Sequence, residues 1–349
     1  MTGAPYVTGR VSSSVGDIPR VATTCTWRDR LGTFMVRSAV GRMAHAVEPG
    51  LYAVGAPSPE SPVLVTANYK LSFDHLRSRL GGVDAWILVL DTKGINVWCA
   101  AGKGTFGTDE IVRRVEATRL AEVVTGRRLI LPQLGAPGVS AHEVTRKTRF
   151  SVIYGPVRAA DITEFLRAGM KTTPGMRRVR FGLADRAVLI PVELVIGFKL
   201  ILGIAAVMVL LGGLVRWGYS VDRASASAPS VAALALAAFV LPVVLVPLLL
   251  PWLPGRAFAV KGAWLGGAMV LGLYAADRAG VVHPGSRLEL WGWMTGWATL
   301  ASFVAMNFTG ASTYTSLSGV NAEMKQAVPV QIALAVAASI LWLAGRLAA

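Results

Sequence analysis

One thiol stands out for its setting. Cys99 is one of two cysteines among 349 residues, and it lies in "DTKGINVWCAAGKGTFGT" (91–108) between a tryptophan and a run of small residues. Cys25 and Cys99 are too few for a disulfide framework, a zinc ribbon or an iron–sulfur cluster held within the chain. "AGKGT" falls short of a phosphate loop, which needs a glycine at position 97 and a hydroxyl residue at 104, where the chain has Val97 and Gly104. A haem-attachment motif lacks its second cysteine and its histidine. A nucleophilic cysteine needs a base, and His45, His75, His142 and His283 are not tied to Cys99 by spacing. From the residues alone, two readings remain. Cys99 is either a small buried side chain or a thiolate donor, with Lys103 close by and a helical turn over Ala100–Lys103 presenting its electropositive end. One thiol cannot build a metal site, whereas a metal already held in a macrocycle needs only one more ligand.

The elements that position this stretch are legible around it. "PVLVTAN" (62–68), "AWILVLDT" (85–92), "RLILPQL" (128–134) and "FSVIYGPV" (150–157) are short apolar runs of strand length. "SFDHLRSRL" has helical spacing, and so does 108–124, where Thr108 is the predicted N-cap, Asp109 and Glu110 suit the first turn, and Ile111, Val112, Val115 and Val123 give an apolar face. Residues 161–170 close the pattern as another helix. Buried strands alternating with amphipathic helices predict an α/β, Rossmann-like domain with a mainly parallel sheet. Ligands of such sheets bind at the carboxyl ends of the strands, where 91–108 would lie. Gly104, Thr105, Gly135 and Gly138 fall in turns at strand ends.

Composition divides the chain. Its mean hydropathy is +0.52, yet the first 186 residues hold 26 of the 35 basic and 15 of the 20 acidic residues. Beyond them lie five apolar segments, 188–215, 231–253, 257–276, 288–309 and 327–345, each near the ~20 residues that cross a bilayer as a helix. The predicted organisation is an N-terminal segment (1–60) packing on an α/β domain (61–170), a basic juxtamembrane linker (171–187), and an all-α transmembrane domain (188–349). Lys171, Arg177, Arg178, Arg180 and Arg186 place the linker on the cytoplasmic side and the C-terminus outside. The start of the chain has no apolar stretch of signal-peptide length, so the α/β domain is expected in the cytoplasm. Nucleic acid is an unsuited partner, because the basic residues lack the interleaved aromatics of a stacking platform. Trp291, Trp293 and Trp297 are predicted interfacial anchors. "MNFTGASTYTSLSGV" (306–320) is either a plain loop or a surface that docks onto the α/β domain.

"NVWCAAGK" (96–103) resembles the cap-helix motif of the mercury-methylating corrinoid proteins, the HgcA family. "GLYAVG", "SPVLVTANYKLSFD", "GPVRAADI" and the "AMNFTGASTYTSLSGV" segment agree with it, so the resemblance covers nearly the whole chain. It implies a corrinoid-binding domain akin to that of the corrinoid iron–sulfur protein, with Cys99 as the lower axial ligand of cobalt in a cobalamin-type cofactor. Asn96, Val97, Trp98, Ala100, Ala101, Gly102 and Lys103 would shape the cap, with Gly104, Thr105, Gly135 and Gly138 near the cofactor. Thr66 would hydrogen-bond a corrin amide or the nucleotide tail. No histidine stands two residues after an aspartate, as in the corrinoid motif that supplies histidine, so a different lower ligand is required. The implied activity is transfer of a carbanion-like methyl group from cobalt to Hg(II). The implied partners are a ferredoxin-like reductant with [4Fe–4S] clusters and a methyl-folate donor, and Cys25 is a candidate second mercury contact. Two other functions stay open: a corrinoid methyl carrier for a different acceptor, and a membrane transport protein with a regulatory soluble domain.

Overall fold

The computed structural model describes residues 4–38, 45–308 and 317–348 and places a seven-stranded sheet in the unit that ends at Val179. In chain order the strands are β1 (Val7–Ser13), β2 (Gly16–Val21), β3 (Gly50–Val54), β4 (Val63–Ala67), β5 (Ala85–Leu90), β6 (Arg128–Leu131) and β7 (Ser151–Tyr154). In space they run β1-β2-β3-β5-β4-β6-β7. The last four, β5-β4-β6-β7, are mutually parallel, β3 is antiparallel to β5, and β1 and β2 extend the β3 edge. The first 60 residues therefore enter the sheet itself with three strands.

Every residue of β4 and β5 is buried. Strands covered on both faces read as unbroken apolar runs instead of alternating ones, and β5 shows why. Trp86, Leu88 and Leu90 enter one core cluster with Val97, Ala100 and Ile111, while Ala85, Ile87 and Val89 enter a second with Phe73 and Phe165. The covering helices are α1 (Trp27–Arg37), α2 (Lys70–Arg77), α3 (Val97–Lys103), α4 (Thr108–Ala117), α5 (Leu120–Val123), α6 (Ala141–Thr148) and α7 (Ile162–Arg167). The predicted helix 108–124 is broken: Arg119 takes φ 50° and separates α4 from α5. Its cap is also corrected. Gly107 holds the N-cap position, where a Cβ would lie 2.8 Å from Gly104 O. Thr108 is instead the first helical residue, and its hydroxyl accepts the Ser140 N–H at 2.8 Å.

The unit from Arg180 onward is helical: α8 (Leu183–Ala187), α9 (Ile190–Leu211), α10 (Val221–Leu249), α11 (Phe258–Arg278), α12 (Arg287–Asn307) and α13 (Leu317–Ala348), with a small hairpin between α9 and α10. Among the described residues, four stretches are long and apolar enough to cross a membrane, Leu183–Leu211, Val221–Leu249, Phe258–Arg278 and Ser318–Ala348. The predicted fourth span, 288–309, folds as α12 but is not among them. Packing explains its lower hydropathy. A Cβ at Gly262 of α11 would lie 2.4 Å from Ala301 O of α12, and one at Gly292 of α12 would lie 2.7 Å from the Trp342 amide nitrogen of α13. A helix seated this closely among neighbours needs little lipid-facing apolar surface. Trp293 and Trp297 are buried in that packing and are not interfacial anchors, whereas Trp291 is exposed. By contrast α9 leaves Ile196, Leu200, Val207 and Leu210 exposed. Of the segment 306–320, residues 309–316 lie outside the described residues.

Candidate functional site

The parallel strands end on one edge of the sheet, and the segments that leave that edge build the site. After β5 the chain turns through two residues of positive φ, Lys93 at 58° and Gly94 at 70°. Lys93 accepts this strained conformation because Asp91 holds it: Asp91 Oδ1 accepts the Lys93 N–H at 3.1 Å, and the ammonium pairs with the other carboxylate oxygen. The hydrogen bond from the Lys93 ammonium, with the backbone one behind it, keeps the Asp91 carboxyl below the ordinary carboxylate range.

Two buried polar residues clamp the turn from outside. Glu110, in the first turn of α4, accepts the Asp91 N–H at 2.7 Å and is itself paired with Arg113 and with Arg114, the latter at 2.8 Å. Asn68, directly after β4, is 5% exposed. Its Oδ1 accepts the Thr92 N–H at 3.0 Å, the Gly94 N–H at 3.0 Å and the Thr92 hydroxyl at 2.8 Å. The same hydroxyl lies 2.7 Å from Ile95 O, so its single proton serves one acceptor at a time.

Helix α3 starts where that turn ends. Asn96 is its N-cap, and Asn96 Oδ1 accepts the Cys99 N–H at 3.0 Å. At the other end Gly104 adopts φ 79°, and Ala100 O accepts the Thr105 N–H at 3.0 Å and the Phe106 N–H at 3.1 Å. Between these caps the helix has two faces. Val97, Ala100 and Ala101 are buried in the core, while Trp98, Cys99, Gly102 and Lys103 face outward. Cys99 is exposed, which removes the buried-cysteine reading. Gly102, three residues on and on the same face, has nothing within 4 Å of the place its Cβ would take. The floor beside the thiol is open, flanked by the half-exposed Trp98 indole.

The remaining predicted residues fall into supporting positions. Gly135 and Gly138 lie in the 3-10 turn Gln133–Gly138 after β6. A Cβ at Gly135 would sit 2.5 Å from the Phe106 ring, and one at Gly138 would sit 2.3 Å from Phe106 O and 3.0 Å from Ala101 Cα. These glycines let the turn press against the inner side of α3. Ala100 and Ala101 are small for the same contact. Thr66 is the fourth residue of β4, 4% exposed, beside Val89 of β5. Cys25 is part-buried in the link to α1. Asn68, Thr92 and Glu110 were not anticipated as site residues. The one sign of them in the chain is a polar residue placed at the carboxyl end of an apolar strand, as in "VTAN" and "VLDT". Among the described residues no group of three or more His, Cys, Asp or Glu side chains is placed to hold a metal ion. Cys99 is thus an exposed thiol on a helix capped at both ends.

Residues 31–166 match the family model CdhD, described as CO dehydrogenase/acetyl-CoA synthase delta subunit. The chain is 35% identical over 122 residues to the acetyl-CoA decarbonylase/synthase complex subunit gamma of Archaeoglobus fulgidus, covering 34% of this chain and 26% of that protein. It is 33% identical over 128 residues to the same subunit of Methanocaldococcus jannaschii, covering 36% and 26%. It is 31% identical over 126 residues to the corrinoid/iron-sulfur protein large subunit of Moorella thermoacetica, covering 36% and 28%. The chain therefore spans about a quarter of the length of these curated relatives, and the family match ends before the long helices begin.

Proposed function

We propose that this chain is a corrinoid-dependent methyltransferase that passes a methyl group from cobalt to Hg(II), forming methylmercury, with the Cys99 thiolate as lower axial ligand. The observation that carries the reading is the exposed thiol on α3, locked between the Asn96 and Gly104 caps beside the open floor at Gly102. The site fits a flat metal macrocycle: one soft donor points outward, no side chain stands at Gly102, and Trp98 offers an apolar flank. The match of residues 31–166 to the CdhD family and to a corrinoid/iron-sulfur protein large subunit supports the same cofactor. The "NVWCAAGK" motif supports mercury as the acceptor.

Bound there, the corrinoid would supply a cobalt-held methyl group. Cys99 would present its sulfur to the metal face turned toward α3. Asn96, Asn68 and Glu110 would keep that sulfur from shifting, by fixing the helix start and the turn that precedes it. Trp98 would cover one side of the donor. Hg(II) is an electron-poor acceptor, so a methyl group passed to it would carry its bonding pair. Thiolate is a stronger electron donor than imidazole and opposes that departure least. Reloading with a methyl-cation donor such as a methyl-folate then requires an external electron pair. With Cys25 and Cys99 too few to hold a cluster, a ferredoxin-like partner with [4Fe–4S] clusters would bring it. The α/β unit would sit on the cytoplasmic side of the inner membrane, tethered by the apolar helices.

A second reading is favoured by the relatives' own names: a corrinoid methyl carrier serving an acceptor other than mercury. One experiment addresses both. The full chain in nanodiscs is reconstituted with methylcobalamin and freed of unbound cofactor, wild type beside Cys99→Ala, and its visible spectrum is recorded before Hg(II) is added. The expected result is a bound corrinoid whose cob(III) bands change on loss of Cys99, followed by methylmercury formation by the wild type alone. A Cys99-dependent spectrum without methylmercury supports the second reading. A bound corrinoid whose spectrum is indifferent to Cys99 defeats the first reading, and no bound corrinoid defeats both.

A further inference from the structure

Helix α1 exposes its apolar residues and buries its acid. Asp29 is 6% exposed and lies 2.9 Å from Lys70 Nζ and 3.0 Å from Arg77 Nη2, both on α2. With Thr26 it also closes a capping box at the helix start. Val36 enters the core at 1% exposure. The outward face carries Trp27, Leu31 and Phe34, spaced i, i+4 and i+7, at 68%, 47% and 64% exposure. Arg28 and Arg30 are exposed beside them, with the Arg28 guanidinium 5.6 Å from the Trp27 ring centroid. Among the described residues before Val179, the one other exposed large hydrophobic side chain is Trp98.

We infer that this face of α1 lies on an anionic lipid surface. Aromatic and aliphatic side chains on one helix face, with arginines beside them and the acid turned away, match what the headgroup boundary of a bilayer stabilises. The charge complements it: every outward ionic group on α1 is positive, and anionic leaflets attract such clusters. Lys171, Arg177, Arg178 and Arg180, just before the long helices, carry the same sign. The chain is also its own tether. Apolar helices long enough to span a bilayer hold α1 near lipid, so a short helix suffices where a free one would dissociate. The ion pairs from Asp29 to α2 make the contact stiff, so the lipid surface would orient the whole α/β unit.

The test uses the full chain with Cys25→Ser and Cys99→Ser, inserted in nanodiscs and labelled with an environment-sensitive fluorophore at Leu31→Cys. A second sample carries the label at Glu164→Cys, an exposed position on α7. Quenching by doxyl-labelled lipid is measured in discs of phosphatidylglycerol mixture and of phosphatidylcholine alone. The expected result is quenching at 31 at least about threefold above that at 164 in the anionic discs, falling toward the control in zwitterionic discs. Arg28→Glu with Arg30→Glu, checked for folding by circular dichroism, should abolish the excess. Quenching at 31 equal to the control, or unaffected by lipid charge, overturns the inference and leaves the face to a protein partner or a second copy. The lipid comparison uses the unswapped protein, so it stands even where the charge-swapped variant fails to fold.

Discussion

Asn68→Ala isolates what holds the donor helix in place. The substitution removes the acceptor of the Thr92 and Gly94 N–H groups, 24 and 26 residues away in sequence, at a point where Thr92 is fully buried. The Thr92 hydroxyl keeps Ile95 O as its acceptor, so the orphaned donors are the two backbone groups. A buried donor left unpaired costs about 1–3 kcal/mol, and the pair therefore costs about 2–6 kcal/mol. Taking about 3 kcal/mol, to allow for water reaching Gly94, the open form of the turn gains about a hundredfold in population. Amide exchange of the full chain in nanodiscs, followed on peptides spanning residues 88–98, reads that population directly. Asn68→Ala should exchange there about a hundredfold faster than wild type. Asn68→Asp keeps an acceptor oxygen in place and should stay within about tenfold of wild type. Protection of 88–98 unchanged by Asn68→Ala would refute the clamp and assign the turn to Glu110 and core packing alone.

The other expectations concern the floor beside the thiol and the anchor of α1. Gly102→Leu points into open space, so the chain should fold normally; if the corrinoid lies over that floor, cobalamin affinity should fall at least about tenfold, the equivalent of about 1.4 kcal/mol. Unaltered affinity in an equilibrium titration would place the cofactor elsewhere. Burial pulls the Asp29 carboxyl upward, but the hydrogen bonds from Lys70 and Thr26 outweigh it, and its folded pKa lies below the ordinary value. Its stabilisation is therefore full above the unfolded carboxylate pKa of about 4 and is lost as pH falls below it. Thermal unfolding should show Asp29→Asn less stable than wild type at pH 7, with the gap closing in acid. A gap that persists at low pH would show that the network does not depend on the carboxylate charge.

Burial was the readable part of this chain. The runs that became β4 to β6 are apolar because both sheet faces are covered, and such runs announce themselves one residue at a time. The long helices beyond Arg180 are legible for the same reason. β1, β2 and β3 have no counterpart among the predicted strands: β1, at the sheet edge, alternates between exposed and half-buried positions and has no apolar run to show, and β3 is a run of only five residues. The fourth predicted span folds as α12, and hydropathy does not reveal that it sits against its neighbours through Gly262 and Gly292. The same limit holds at the site. Seven residues of α3 are too few to display a period, so only folding shows that Ala100 and Ala101 turn inward and that Gly102 leaves space beside the thiol. Asn68 reaches Thr92 across 24 residues and Glu110 reaches Asp91 across 19. Apolar burial is a property each residue carries with it, whereas a hydrogen-bond partner distant in sequence exists only once the strands have brought the two together.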